Sequence, residues 1–385
     1  MIGLDRFADV TPDALRQIGG LKWSLYPDTL AAWVAEMDFG IAPTITQALH
    51  SAVDTGSFGY LPSQLRVSMA EACSGWLSRD FGWDLDPERI RPIADVLTAY
   101  EHALTSFTPA DGTSVIVPTP AYAPFLTIPR SLGFDIIELP LVREGDRHVI
   151  DPVALDEMFA AGGGLLVLCD PHNPTGTVYT REEHLAVADV VERHGGRVFS
   201  DEIHAPVVLD GQHVPYASVS DAAAGHTLSA VSAAKGWNLP GLKAAQLLLS
   251  NDADAETWAR VGGHAEHGAS NLGVIAATAA YSTGGQWMAD IREYLRENRE
   301  HLLMRFAEEL PALGTLRGEG TYFSWLDVSA FDLGPSPVDT VRERAAVILT
   351  DGTTNGAVGT SHLRLNFATS RPILDLILDR LVVAL

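Results

Sequence analysis

Lys235 stands in SAVSAAKGWNLPGLK, residues 229–243, and is the side chain best suited to covalent chemistry. It follows an apolar, strand-like run at 227–231, and small residues before it leave room for a flat, bulky group. Burial disfavours an ammonium, and a neutral lysine amine forms Schiff bases with aldehydes. Ser232 lies three residues before it and Lys243 eight after, a hydroxyl and a cation that suit a phosphate. These residues describe an aldehyde that carries a phosphate, and pyridoxal 5'-phosphate (PLP) fits. On this segment alone, an ordinary strand-end lysine is the plain alternative.

Other residues widen the pattern. In DPHNPTG, residues 170–176, turn formers leave an apolar run and project Asn173, whose amide can donate to a cofactor phenolate oxygen. In VFSDEIH, residues 198–204, Asp201 ends a strand pattern, and a buried acid there needs a cation such as a protonated pyridine nitrogen. If the extended conformation persists, Ile203 shares a face with Asp201 and floors the ring. His204 then reaches the phenolic oxygen, or is simply a satisfied core histidine. Tyr122, in the Pro-constrained PTPAYAPF at 118–125, can stack on a flat ring. A helix pattern at 94–104 offers free amides near Val96 and Leu97 for a phosphate. In SHLRLNF, residues 361–367, Arg364 is either a solvated strand residue or a bidentate grip for a carboxylate. Tyr60 tips the loop GSFGYLPS at 56–63, where packing is its plain alternative role.

The elements that position these residues alternate. Apolar runs at 114–117, 135–139, 165–169, 198–200, 228–231 and 247–249 suit strands covered on both faces. Helical stretches separate several of them. One is bounded by a Thr180–Glu183 capping box and closed by Gly195. Strand–helix alternation predicts an α/β domain with a mostly parallel sheet, whose ligands bind beyond the strands' carboxyl ends. A helix pattern starts at Pro43 and runs toward Asp54. After Gly284-Gly285 comes a long helix, roughly 287–310, then strand patterns at 322–328 and 362–367 and a final helix. We expect a large domain at 46–285 and a smaller α+β domain formed by 286–385 with an N-terminal arm at 1–45.

A net charge of −23 argues against nucleic acid and anionic membranes as partners. The two cysteines, Cys73 and Cys169, lack metal or redox spacing, so no metal site is expected and a reducing compartment is. The start, MIGLDRFADV, has no signal-peptide layout, and no apolar run approaches a membrane span. A cytoplasmic location is the expectation.

Taken together, Tyr60, Tyr122, Asn173 in NPTG, Asp201, Lys235 and Arg364 resemble, in order and spacing, the fold-type I PLP enzymes of the aspartate aminotransferase superfamily. WVAEMDFGIAP, FGY, TPAY, NPTG, SDEIH and KGWNLPGLK look more narrowly like the MalY/PatB-type cystathionine β-lyases. The resemblance implies a seven-stranded, mostly parallel sheet flanked by helices in the large domain. It implies that Lys235 binds PLP and serves as base at the substrate α-carbon. Asp201 would pair with the pyridine nitrogen, Asn173 and His204 would touch the phenolic oxygen, and Tyr122 would stack on the ring. Ser232, Lys243 and the Val96 and Leu97 amides would hold the phosphate, with Tyr60 arriving from the second subunit of a homodimer. Arg364 would hold the substrate carboxylate, with Asn173 and Tyr60 also binding substrate and Tyr122 joining Lys235 as a catalytic residue. Many relatives carry arginine where Lys243 stands, and 349–361 lacks the aromatic-glycine signature expected before Arg364. The activity implied is a carbon–sulfur β-lyase acting on cystathionine or another S-substituted cysteine. A class I/II aminotransferase is the alternative on the same scaffold, and a ligand-sensing protein is a third reading.

Overall fold

The structure is a computed structural model, and it describes residues 7, 9–108 and 113–385. The opening residues of the expected arm, 1–6 and 8, lie outside that description. Seven strands form the large sheet: β1 (Ile90–Ile93), β2 (Ser114–Thr119), β3 (Ile136–Pro140), β4 (Gly163–Cys169), β5 (Arg197–Asp201), β6 (Thr227–Val231) and β7 (Ala245–Leu249). Their order is β1-β7-β6-β5-β4-β2-β3. β7 runs antiparallel to both its neighbours, and the pairs from β6 through β5, β4 and β2 to β3 are parallel. The mostly parallel α/β sheet is therefore present. β1 escaped the sequence reading because Arg91 and Pro92 interrupt its apolar run. A proline is tolerated there because β1 is an edge strand.

Strand alternation divides the core in two. Val115, Val117, Leu165, Val167 and Phe199 pack on one face, and Ile116, Leu166, Leu168 and Val198 on the other. Each such side chain contributes about 1.5–3 kcal/mol by burial. A one-residue slip would exchange the faces, so the register is strongly specified. The helix Arg181–His194 has the expected capping box, and Gly195 closes it at φ 61°, in the left-handed region. The helix Pro43–Asp54 also forms as expected, whereas the 56–63 loop is cut short because Ser63 already opens the helix Ser63–Phe81.

After the long helix Gly285–Glu309 come β8 (Phe323–Asp327), β9 (Thr350–Asp351) and β10 (His362–Asn366), in an antiparallel sheet ordered β8-β10-β9. The sequence leaves one face of β10 open to solvent as an alternative. Instead, residues 33–38 cross it as a strap without helix or strand structure. Asn366 donates to Val34 O at 2.7 Å and to Glu36 O at 2.8 Å, and both Arg364 and Asn366 are buried. At the strap's far end the buried Lys22 ammonium pairs with Asp38 at 2.9 Å. Among the described residues, no helix is long and apolar enough to cross a membrane.

Candidate active site

β4 and β5 end side by side, with Cys169 opposite Asp201, and a cavity of ≈ 200 Å³ opens beyond them. Val96, Leu97, Tyr122, Asn173, Asp201, Ile203, His204, Lys235 and Lys243 all line it. Arg364 joins through Asn173, donating to Asn173 Oδ1 at 2.8 Å. Two of the sequence-selected residues stand elsewhere. Tyr60 is 94% exposed and lines an outer groove with Phe58 and Asn271, which meets the cavity at Lys243. Ser232 is buried, and its hydroxyl donates to Ala244 O at 2.8 Å and accepts from Ala234 N at 3.1 Å, capping the short helix Ala233–Gly236.

Lys235 sits on that helix, and its Nζ donates to Ala35 O at 3.2 Å. Burial, reinforced by the Arg364 charge, pushes the amine down to about 8, against the pull of Glu36 and Asp201. A substantial neutral fraction is thus present near physiological pH. Asp201 shows the opposite perturbation. Burial raises its carboxyl to about 7, although Ile203 N donates to Oδ1 at 3.0 Å and Lys235 supplies a nearby positive charge. A further cation facing this carboxyl would restore its ionised form.

Ile203 reaches the cavity by a route the sequence did not predict. The strand ends at Asp201 and the chain turns, so Ile203 lines the wall through the turn and not through continued alternation. His204 is buried edge-on against Tyr322 and Phe323, and its Nδ1 has no hydrogen-bond partner among the described residues. Burial and the charges of Lys235 and Arg364 hold it well below the usual histidine range, so the ring is neutral. Tyr122 packs edge-on against Phe125 at 5.5 Å. Burial, then the Asp201 charge, raises its phenol, which therefore stays protonated.

Arg364 is a buried cation with neutral partners. Its guanidinium donates to Asn173 Oδ1, to Trp33 O at 3.1 Å and to Thr350 Oγ1 at 3.1 Å, and lies 4.2 Å from the Phe323 ring centroid. Its Nε has no partner among the described residues, and burial lowers its pKa to about 10. This is a vacancy in charge that an incoming carboxylate would answer. Because Asn173 spends its oxygen on Arg364, its NH2 is left to donate to an acceptor.

Sequence reasoning missed Asp95 and the strap. Asp95 caps the helix Val96–Ser106 by accepting from Thr98 N at 2.9 Å, and its other oxygen pairs with Lys243 at 2.9 Å. Burial raises its pKa, but the hydrogen bonds from Lys243 and Thr98 outweigh that and hold it below the usual range. The strap's carbonyls are the site's acceptors: Trp33 O for Arg364, and Ala35 O for both Lys235 and the Tyr322 hydroxyl. Asn238, left-handed at φ 61°, fixes the strap by bonding both Met37 N and Met37 O at 2.9 Å. The available signal was Glu36 and Asp38 among aromatics in a segment with no structural period.

The donor set fits PLP. A depressed lysine amine suits its aldehyde, a strained carboxyl its ring nitrogen, and the free amide of Asn173 its phenolic oxygen. The Val96 and Leu97 amides in the first helical turn, with Lys243, suit its phosphate.

The family described as aminotransferase class I and II matches residues 34–381. A cystathionine β-lyase of Corynebacterium glutamicum is 37% identical over 358 residues, covering 92% of this chain and 94% of that protein. The cystathionine β-lyase PatB of Bacillus subtilis is 33% identical over 362 residues, 93% of each chain. A crystal structure from Corynebacterium diphtheriae, provisionally described as a PLP-dependent β-cystathionase, superposes with a TM-score of 0.92 at 37% identity, covering 97% of both chains.

Proposed function

The chain belongs to the aminotransferase class I and II family, and we propose that it is a PLP-dependent carbon–sulfur β-lyase. With one water it cleaves cystathionine or another S-substituted L-cysteine to a thiol, pyruvate and ammonia. The observation that carries this reading is the charge at the substrate end. Arg364 is a buried guanidinium lacking an anionic partner, and no second arginine lines the cavity among the described residues. Arg260 bonds Thr257 on its own helix and is exposed, so it offers no buried grip for a second, distal carboxylate. One carboxylate grip suits a cysteine thioether better than the dicarboxylates of an aspartate-type transaminase.

PLP, when bound, supplies an aldehyde that links to amines and a ring that draws electrons from the substrate α-carbon. The chain's own residues do the rest. Lys235 Nζ, partly neutral, takes the α-proton. Arg364 and Asn173 hold the substrate carboxylate and so fix which bond at the α-carbon stands ready to break. With PLP bound, Asp201 would pair as a carboxylate with the ring nitrogen, Tyr122 would stack on the ring, and neutral His204 would stand by the phenolic oxygen. Ser232 shapes the phosphate end by capping the helix that carries Lys235.

The lyase predicts stoichiometric pyruvate and thiol from cystathionine with no 2-oxoacid added. Product that forms only when a 2-oxoacid acceptor is supplied would establish the aminotransferase alternative instead.

We also read the active molecule as a homodimer in which Tyr60 completes the phosphate site of the second subunit. Its near-complete exposure beside exposed Phe58, on a groove that meets Lys243, supports this. Light scattering should give twice the chain mass, and Tyr60→Ala should loosen PLP. A fully active monomer would sink the dimer reading. In this account 46–285 is the cofactor domain, 1–45 and 286–385 form the smaller one, and the setting is cytoplasmic, in keeping with two free, buried cysteines.

A further inference from the structure

The ends of β4 and β5 carry a second set of polar side chains on the face away from the cavity. Alternation turns Asp201 toward the cavity and sends Ser200 the other way, where it donates to Glu202 Oε1 at 2.8 Å. Asp170, one residue past the end of β4, is fully buried on the same side. Between the two carboxylates lies His213, 1% exposed. Its Nε2 is 3.0 Å from Glu202 Oε2, and its Nδ1 is 3.1 Å from Asp170 Oδ2, the latter an ion-pair contact and not a straight hydrogen bond.

Both acids are otherwise well answered. Glu202 Oε1 also accepts from Ser229 Oγ and Tyr216 N, each at 3.3 Å. Asp170 Oδ1 accepts from Tyr179 N at 3.1 Å, and Oδ2 also lies 3.1 Å from His184 Nε2. His213 is the group that ties one acid to the other. Glu202 adjoins Asp201 in the chain, and Asp170 stands three residues before Asn173.

We propose that His213 is a positioning residue for the cofactor: by bridging Asp170 and Glu202 it fixes the ends of β4 and β5, and thereby the places of Asp201 and Asn173. Buried charge clusters are weak devices for stability, since apolar replacements of whole clusters are often neutral. Their use in fixing geometry is the better account of one set directly behind two ligand-facing residues. The groups around the His213 ring are Asp170 and Glu202, with His184 beyond Asp170 and the Phe81 ring edge-on at 5.1 Å. Burial opposes its charge, but Asp170 and then Glu202 push it up to about 9, so it is a cation at neutral pH. Glu202 also raises the proton affinity of Asp201, so an uncompensated Glu202 would reach the ring site directly.

The inference rests on the PLP reading, and the test separates the two. PLP affinity of the apo-protein, its melting temperature, and the pH midpoint of the bound cofactor's visible band are measured for wild type, His213→Gln and Asp170→Asn. His213→Gln should weaken PLP roughly tenfold and move the midpoint by about one pH unit, as expected for one lost charge partner. Asp170→Asn serves if His213→Gln does not fold. It removes the charge that His213 Nδ1 faces, weakening the bridge on the β4 side, and it too should weaken PLP. A fall in melting temperature with PLP affinity and midpoint unchanged makes His213 purely structural and overturns the proposal. Wild type that binds no PLP overturns the cofactor reading itself.

Discussion

Lys235→Ala should abolish covalent attachment of PLP and lower turnover by at least ~10³-fold. The side chain supplies both the amine that links to the aldehyde and the base at the α-carbon. Other amines are poor substitutes. Lys243 lines the same cavity but is exposed, paired with Asp95 and placed at the phosphate end, and Lys22 is buried against Asp38. The fold should survive the change. Burial holds the Lys235 amine at about 8 against an ordinary 10.5. The unfolded chain therefore binds the proton more tightly, and the penalty is full below about 8 and fades as pH rises toward 10.5. Removing the amine removes the penalty, so the apo-variant should melt no lower than wild type at neutral pH. Borohydride reduction followed by peptide mass analysis reads the attachment. A reduced adduct on another lysine, with turnover intact, would refute the assignment.

The residues legible in the sequence share one property: each is located by an apolar run. Asn173 follows β4, Asp201 ends β5, Lys235 follows β6, and Arg364 lies within β10, so local pattern alone places them near strand ends or a sheet face. What pairs with them was not legible. Ala35 is 200 positions from the Lys235 it accepts from, Asp95 is 148 from Lys243, and Trp33 is 331 from Arg364. Such contacts depend on how the strap crosses β10 and on the register of seven strands, neither of which leaves a periodic signal. The Asp170–His213–Glu202 bridge is hidden for the same reason. Its members lie in a turn, a loop and the residue after a strand, where alternation no longer predicts direction. Ile203 shows that limit from the other side: the wall position was expected, but the strand assumed to produce it stops two residues early.

Asp201→Asn should lower turnover at least ~100-fold, about what a lost charge partner worth ~3 kcal/mol removes. It should also make the apo-protein more stable. Burial raises the Asp201 carboxyl to about 7 from an ordinary 3.8. Between those values the folded apo-protein binds the proton more tightly than the unfolded chain does. This group's contribution to stability therefore falls as pH rises from about 3.8 to about 7, and the full cost of the buried carboxylate applies above that. A gap of roughly three units corresponds to ~4 kcal/mol at most. Asparagine has no charge to desolvate, and its oxygen can still accept from Ile203 N. The apo-variant should thus lose the downward slope between pH 4 and 7 and exceed wild type in urea unfolding at pH 8. PLP reverses the order. A ring cation against Asp201 turns the cost into an attraction that asparagine cannot make, so wild type should gain more stability from PLP than the variant does. Urea unfolding at pH 5 and pH 8, with and without PLP, measures all four states. An apo-variant less stable than wild type at pH 8, or a holo-variant with wild-type turnover, would show that Asp201 serves the fold and not the ring nitrogen.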